Sequence, residues 1–301
     1  METKGSSESA YSALLLLLLS LITISWWRAK RLSFLSGAGL GLLWGLTFHF
    51  APSFLPVLLS FLVVGGYLAR TSWLREYLRT ASLVASVALI ATIPWNLRNY
   101  KQLGGIVFVR SNLGLELSIA HNDAAGVAMS DNYDRPGANP LHPFNRVDEA
   151  LKLKTLGELE YNRQKLTTAL TWIMSHSARV TSLTARRFLY FWAPPGNTPL
   201  KTLVTALITI LAFLGWYKVY RVSPTAGSLF LSIWIAYPLP YYLVHGDPRY
   251  SYVIHWTLLS TSVFGLSFLV PVLKRKLPFQ QATAAGRQIE RWPVQLQQGG
   301  W

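Results

Sequence analysis

The short turn His245-Gly246-Asp247-Pro248-Arg249-Tyr250 lies between two apolar runs and holds a histidine, a carboxylate and an arginine. A bland connector would use Gly, Ser and Asn. Arg249 carries a planar fork of donors that suits phosphate, and Tyr250 adds a hydroxyl beside it, with His245 at the same turn. Arg98 follows another apolar run and falls at the same membrane depth. Together these residues suit a diphosphate or phosphodiester lipid head group. The competing reading is interfacial snorkelling of the arginines with an Arg249–Asp247 ion pair. Candidates for a catalytic carboxylate are Glu116, Asp123 and Asp247. His121-Asn122-Asp123 offers a base or a metal ligand. Neighbouring residues do not point to one place in most backbones, so a solvated loop competes with it.

These residues need elements to hold them, and the elements are apolar. Only 14% of the 301 residues are charged, against about 25% in an average soluble protein. Apolar runs of about 16 to 20 residues recur, long enough to cross a hydrocarbon core about 30 Å thick. The fold class expected is an α-helical integral membrane protein with about seven transmembrane helices. The expected spans are 11–27, 33–50, 53–69, 80–96, 200–217, 226–244 and 251–272. A mixed, mainly helical extracytoplasmic segment separates spans four and five. The regions are therefore 1–96 (four spans), 97–199 (extracytoplasmic), 200–273 (three spans) and 274–301 (a disordered cytoplasmic tail).

Charge placement sets the orientation. The net charge of +15 comes largely from clusters just after spans: Arg28, Lys30 and Arg31; Arg70, Arg75 and Arg79; Lys218 and Arg221; Lys274, Arg275 and Lys276. With the N-terminus outside, every one of these clusters falls on the cytoplasmic side. A missed span would break that agreement. The expected location is a bacterial inner membrane. Trp26, Trp27, Trp95, Trp192, Trp216, Tyr217, Tyr241 and Tyr242 mark the span ends, where rings favour the headgroup zone. The basic residues form no stripe with interleaved aromatics, so nucleic acid is not an expected partner.

The polar segment opens with Ile106, Val107, Phe108 and Val109, a short strand or an extended loop. Residues 122–143 are rich in Asn, Asp, Gly and Pro and suit irregular loop. A helix is expected over 148–174, where Leu159, Leu166, Leu170 and Ile173 share a face. Gly157 within it implies a bend or a close contact. A second helical piece spans 178–191. In span two, Gly37, Gly39, Gly41 and Gly45 leave room for a neighbouring helix. With no cysteine, disulfides and thiolate chemistry are excluded. There is no Walker loop, zincin helix or nucleophile elbow, and no internal repeat.

The order of motifs carries a resemblance. It runs from Leu40-Gly41-Leu42-Leu43-Trp44-Gly45 through Pro94-Trp95-Asn96-Leu97-Arg98-Asn99-Tyr100 to Arg110-Ser111-Asn112-Leu113-Gly114-Leu115-Glu116. Leu156-Gly157-Glu158-Leu159-Glu160-Tyr161, Arg187-Phe188-Leu189-Tyr190-Phe191-Trp192 and Asp247-Pro248-Arg249-Tyr250 follow. This resembles the C-terminal portion of GT-C membrane glycosyltransferases, of the protein O-mannosyltransferase and aminoarabinose transferase type. The resemblance implies inverting sugar transfer from a polyprenyl-phosphate-linked donor to an extracytoplasmic acceptor, with a carboxylate base. Arg98, Arg249, Tyr250 and His245 would then lie by the donor lipid phosphate. No cofactor is implied beyond that donor, and the use of a divalent metal stays open. The family's acidic residue after its first span has no counterpart here: the residues before span one hold only Glu2 and Glu8. The alternative is therefore a non-catalytic subunit or remnant, completed by a membrane partner that supplies further spans.

Overall fold

The computed structural model describes residues 6–133, 142–196 and 198–267. The expected tail beyond residue 273 lies outside them. The described residues are helical, with no strand. The helices are α1 (Ser6–Ala29), α2 (Phe34–Phe50), α3 (Phe54–Ala69) and α4 (Leu74–Leu103), then α5 (Leu113–Ala120) and α6 (Met129–Tyr133). After them come α7 (Val147–Leu156), α8 (Glu158–Ser175), α9 (Ser177–Trp192) and α10 (Pro199–Val222). The last four are α11 (Pro224–Ala236), α12 (Leu239–Leu243), α13 (Pro248–Tyr252) and α14 (His255–Leu266). By length and composition α1, α4 and α10 can each cross a membrane, while α2 and α3 are shorter apolar helices.

The last two expected spans are broken. α11 stops before Pro238, and Pro240 follows within α12. Each proline removes a backbone donor and crowds the preceding turn, so the helix restarts rather than continues. The final run begins as the short α13, with Pro248 in its first turn and Asp247 as its cap, and restarts at His255. α4 departs in the other direction. It runs through Pro94 and past residue 96, and stops only where Gly104 takes φ 78°.

Small residues set the closest crossings. Gly41 and Gly45 of α2 lie on α4; a Cβ at Gly41 would stand 2.7 Å from the Val84 carbonyl oxygen. Gly39 of the same helix meets nothing, so the glycine stripe is narrower than its sequence pattern. Gly215 and Gly265 bring α10 and α14 together in the same way, each against the other helix's backbone. Close approach of this kind supplies van der Waals contact where lipid gives helices no hydrophobic drive to associate. α3 packs on α11 and joins the first group of helices to the second.

The bundle has two distinct ends. At one, Trp26 stacks on Tyr77 (5.1 Å between centroids) and Arg28 donates to the Ser223 hydroxyl at 3.2 Å. That end gathers the basic termini of α1, α3 and α10. At the other, the start of α1, the α2–α3 turn, the segment after α4 and the α12–α13 turn surround one cavity.

The polar segment is helical in pieces. α5 lies on α8, with Gly114 against the Asn162 backbone and the Asn162 side chain accepting from the Leu115 amide at 3.1 Å. Leu115, Ile119 and Tyr161 form its small core. The helix expected over 148–174 is two helices. Gly157 sits between them at φ 77°, and nothing lies within 4 Å of where its Cβ would be. The glycine is needed for its backbone conformation and not for a close contact. The loop expected over 122–143 contains α6, and 104–111 is an irregular, bent segment rather than a strand.

Candidate functional site

The cavity at the second end of the bundle measures about 840 Å³. Its apolar wall includes Phe50, Ile106, Phe108 and Leu113; Ile106 is 86% and Leu113 59% exposed. Its polar wall holds Glu8, Arg110, Asn112, Glu116, His245 and Tyr250.

Glu116 stands in the first turn of α5, where its charge faces the positive helix end. It accepts hydrogen bonds from Asn112 Nδ2 and from the Tyr133 hydroxyl, both at 3.0 Å. Burial pushes its carboxyl above the usual range, against those two bonds and the charge of Arg110. A carboxylate that is accessible from a cavity and more basic than usual is suited to proton abstraction. The other two carboxylate candidates are placed differently. Asp123 accepts from Trp172 Nε1 at 2.9 Å on the exposed surface and lines neither cavity. Asp247 accepts from the Arg249 amide at 2.8 Å and pairs with Arg249 Nε at 3.1 Å, so it fixes the turn.

The cationic candidates separate. Arg249 lines a second, smaller cavity of about 330 Å³, with its Nη2 at 3.1 Å from Met129 Sδ. Its ion pair with Asp247 is the one that the snorkelling reading requires. Tyr250 faces the larger cavity and stacks on Tyr241, centroids 4.1 Å apart. His245 also lines the larger cavity but is buried, and Nδ1 has no hydrogen-bond partner among the described residues. Burial and then the Arg187 charge lower its pKa to about 4, so it is neutral at pH 7. Arg98 joins neither cavity. It is exposed on α4, 4.7 Å above the Trp95 ring, and donates to Asn99 Oδ1 at 3.2 Å. Arg98 and Arg249, expected together from sequence, line no common cavity.

Three residues here escaped sequence reasoning as site components. Glu8 and Arg110 line the large cavity, with Arg110 Nη2 at 3.8 Å from Glu8 Oε1. Glu8 precedes the first span on the side assigned to the polar segment, and that shared side was the available signal. Arg187 is fully buried on α9. Its guanidinium donates to the carbonyls of Ala120 (2.7 Å), Gly126 (3.1 Å) and Leu243 (3.2 Å). It thereby ties the end of α5 to the α12–α13 turn, and burial lowers its pKa to about 10. Nothing in the pair Arg186-Arg187 distinguishes the buried member by sequence.

No group of three or more His, Asp or Glu among the described residues is placed to hold a metal ion. No family model, curated protein or solved structure matches the chain.

Proposed function

We propose that this chain is a GT-C-like membrane glycosyltransferase, or the C-terminal portion of one, that moves a sugar from a polyprenyl-phosphate donor to an extracytoplasmic acceptor. The observation that carries the reading is Glu116: a half-buried carboxylate of raised pKa, held by Asn112 and Tyr133 inside a cavity with an apolar rim. In the proposed reaction Glu116 takes the proton of the acceptor hydroxyl. The hydroxyl oxygen forms a bond to the anomeric carbon from the face opposite the phosphate. The carbon–oxygen bond to phosphate breaks, and the lipid phosphate leaves with the electron pair. Exposed Ile106 and Leu113 at the cavity give an isoprenoid chain an apolar surface to follow.

The same reading takes the chain across the membrane seven times, with α11–α12 and α13–α14 as the two interrupted crossings. The N-terminus and the polar segment are outside, and the basic end is cytoplasmic. The gathering of alternate connections at one cavity supports this order. The test is transfer of sugar from a polyprenyl-phosphate donor by the purified chain in lipid nanodiscs. We expect Glu116→Gln to reduce transfer by about a hundredfold or more without lowering the melting temperature at neutral pH. Transfer by Glu116→Gln at the wild-type rate would sink the assignment.

A further inference from the structure

Val109 is buried and β-branched, yet its φ is +63°. A β-branched residue in that region is a backbone outlier. The Arg110 amide donates to the Phe108 carbonyl at 2.7 Å, which closes a three-residue turn around Val109. Turns of that form with positive φ are rare and strained. The strain is held from α4: Trp95 Nε1 donates to the Val109 carbonyl at 2.9 Å, and the Val109 amide donates to Asn96 Oδ1 at 3.4 Å. The next side chain along is Arg110, which lines the large cavity. Backbone strain maintained by its surroundings points to a placement that function requires.

Arg110 is only loosely engaged. Its Nη2 donates to the Phe50 carbonyl at 3.0 Å and stands 3.8 Å from Glu8. Both partners of the ion pair are more than half exposed, where such a pair contributes little. Glu8 is itself held in place by its neighbour, since the Ser9 hydroxyl donates to the Arg249 carbonyl at 3.2 Å.

We infer that Arg110 is the anion-gripping residue of the large cavity, aimed by the clamped turn at Val109 and kept in reserve by Glu8. Trp95 and Asn96 are positioning residues for it. Its ligand is a phosphate ester, whose oxygens match the guanidinium fork bidentately and displace the Glu8 carboxylate. The inference rests on the sugar-transfer reading only for the expectation that the phosphate belongs to an isoprenoid lipid.

The experiment is calorimetric titration of the full chain in detergent with farnesyl phosphate, farnesol and inorganic phosphate. Arg110→Gln should weaken farnesyl phosphate binding about tenfold, equivalent to about 1.4 kcal/mol. Glu8→Gln should tighten it about threefold, because the competing carboxylate is gone. Trp95→Phe, which keeps a ring but loses the donor to Val109, should weaken it with helix content unchanged, and Arg110→Lys should not restore bidentate affinity. Farnesyl phosphate binding far above inorganic phosphate assigns the anion to a lipid; equal binding assigns it to a phosphate group without a lipid tail and retains Arg110. Wild-type affinity in both Arg110→Gln and Glu8→Gln, at unchanged melting temperature, overturns the inference. Arg110-dependent binding without any sugar transfer would remove the enzyme reading alone. Transfer that needs Glu116 but ignores Arg110→Gln would remove this inference alone.

Discussion

Glu116 and Glu149 are acidic residues of the same polar segment, each in the first turn of its helix, the first half-buried and the second buried. Their surroundings drive them apart. Glu149 is met by Lys165 Nζ at 2.5 Å, Lys152 Nζ at 2.8 Å and the Tyr161 hydroxyl at 2.8 Å. Burial pushes its carboxyl up, but those three donors outweigh it and hold it below the usual range. Glu116 has only neutral donors, Asn112 and Tyr133, and burial prevails. One carboxylate is spent as a fastener between α7 and α8. The other stays basic and faces a cavity. The difference lies in the charge of the partners, since the residue type and helix position are shared.

The largest expected effect is on chemistry. Glu116→Gln should reduce transfer by about a hundredfold to ten-thousandfold, the usual weight of a general base, in an assay with a polyprenyl-phosphate donor. Glu149→Gln should leave the rate per folded molecule nearly unchanged. If the two variants lose rate equally, the contrast fails.

Stability should show the reverse order. Glu149→Ala leaves Lys165, 13% exposed, without its carboxylate. Breaking a buried pair from one side costs about 3 kcal/mol or more, read as a drop in melting temperature, and Glu149→Leu with Lys165→Met should recover much of it. Glu116→Ala should cost about 1 to 2 kcal/mol, mainly through the unpaired Tyr133 hydroxyl.

The pH dependence should carry opposite signs. The raised Glu116 carboxyl binds a proton more tightly folded than unfolded. Its contribution is present below the unfolded value and is lost as pH rises through the folded one. The lowered Glu149 carboxyl contributes above its unfolded value, and that contribution is lost as pH falls through the folded one. Melting temperatures across the acid range in Glu116→Gln and Glu149→Gln should each lose one limb. Loss of the same limb in both would refute the opposed environments.

The smallest effect sharpens the boundary of the site. Arg98→Ala should change activity less than about twofold and stability by less than about 0.5 kcal/mol, as at an ordinary exposed position. A large loss would place Arg98 in the machinery although it lines neither cavity.

Sequence alone determined the apolar helices α1 to α4 and α10, because length and hydropathy are local properties. It also located the polar segment, a glycine-bearing face of α2 open to some neighbouring helix, and the segment that presents Glu116. It could not place Arg98. α4 continues helically past Pro94, and each residue turns the side chain by about 100°. Asn99 therefore takes the inward direction and Arg98 the outward one. Nor could it bring Glu8 to Arg110, more than a hundred positions along the chain, or choose Arg187 over Arg186. Those outcomes depend on how helices cross and which carbonyls they leave unpaired. Hydropathy fixed which segments form apolar helices; the packing alone decided which carboxylate would meet lysines and which would meet a cavity.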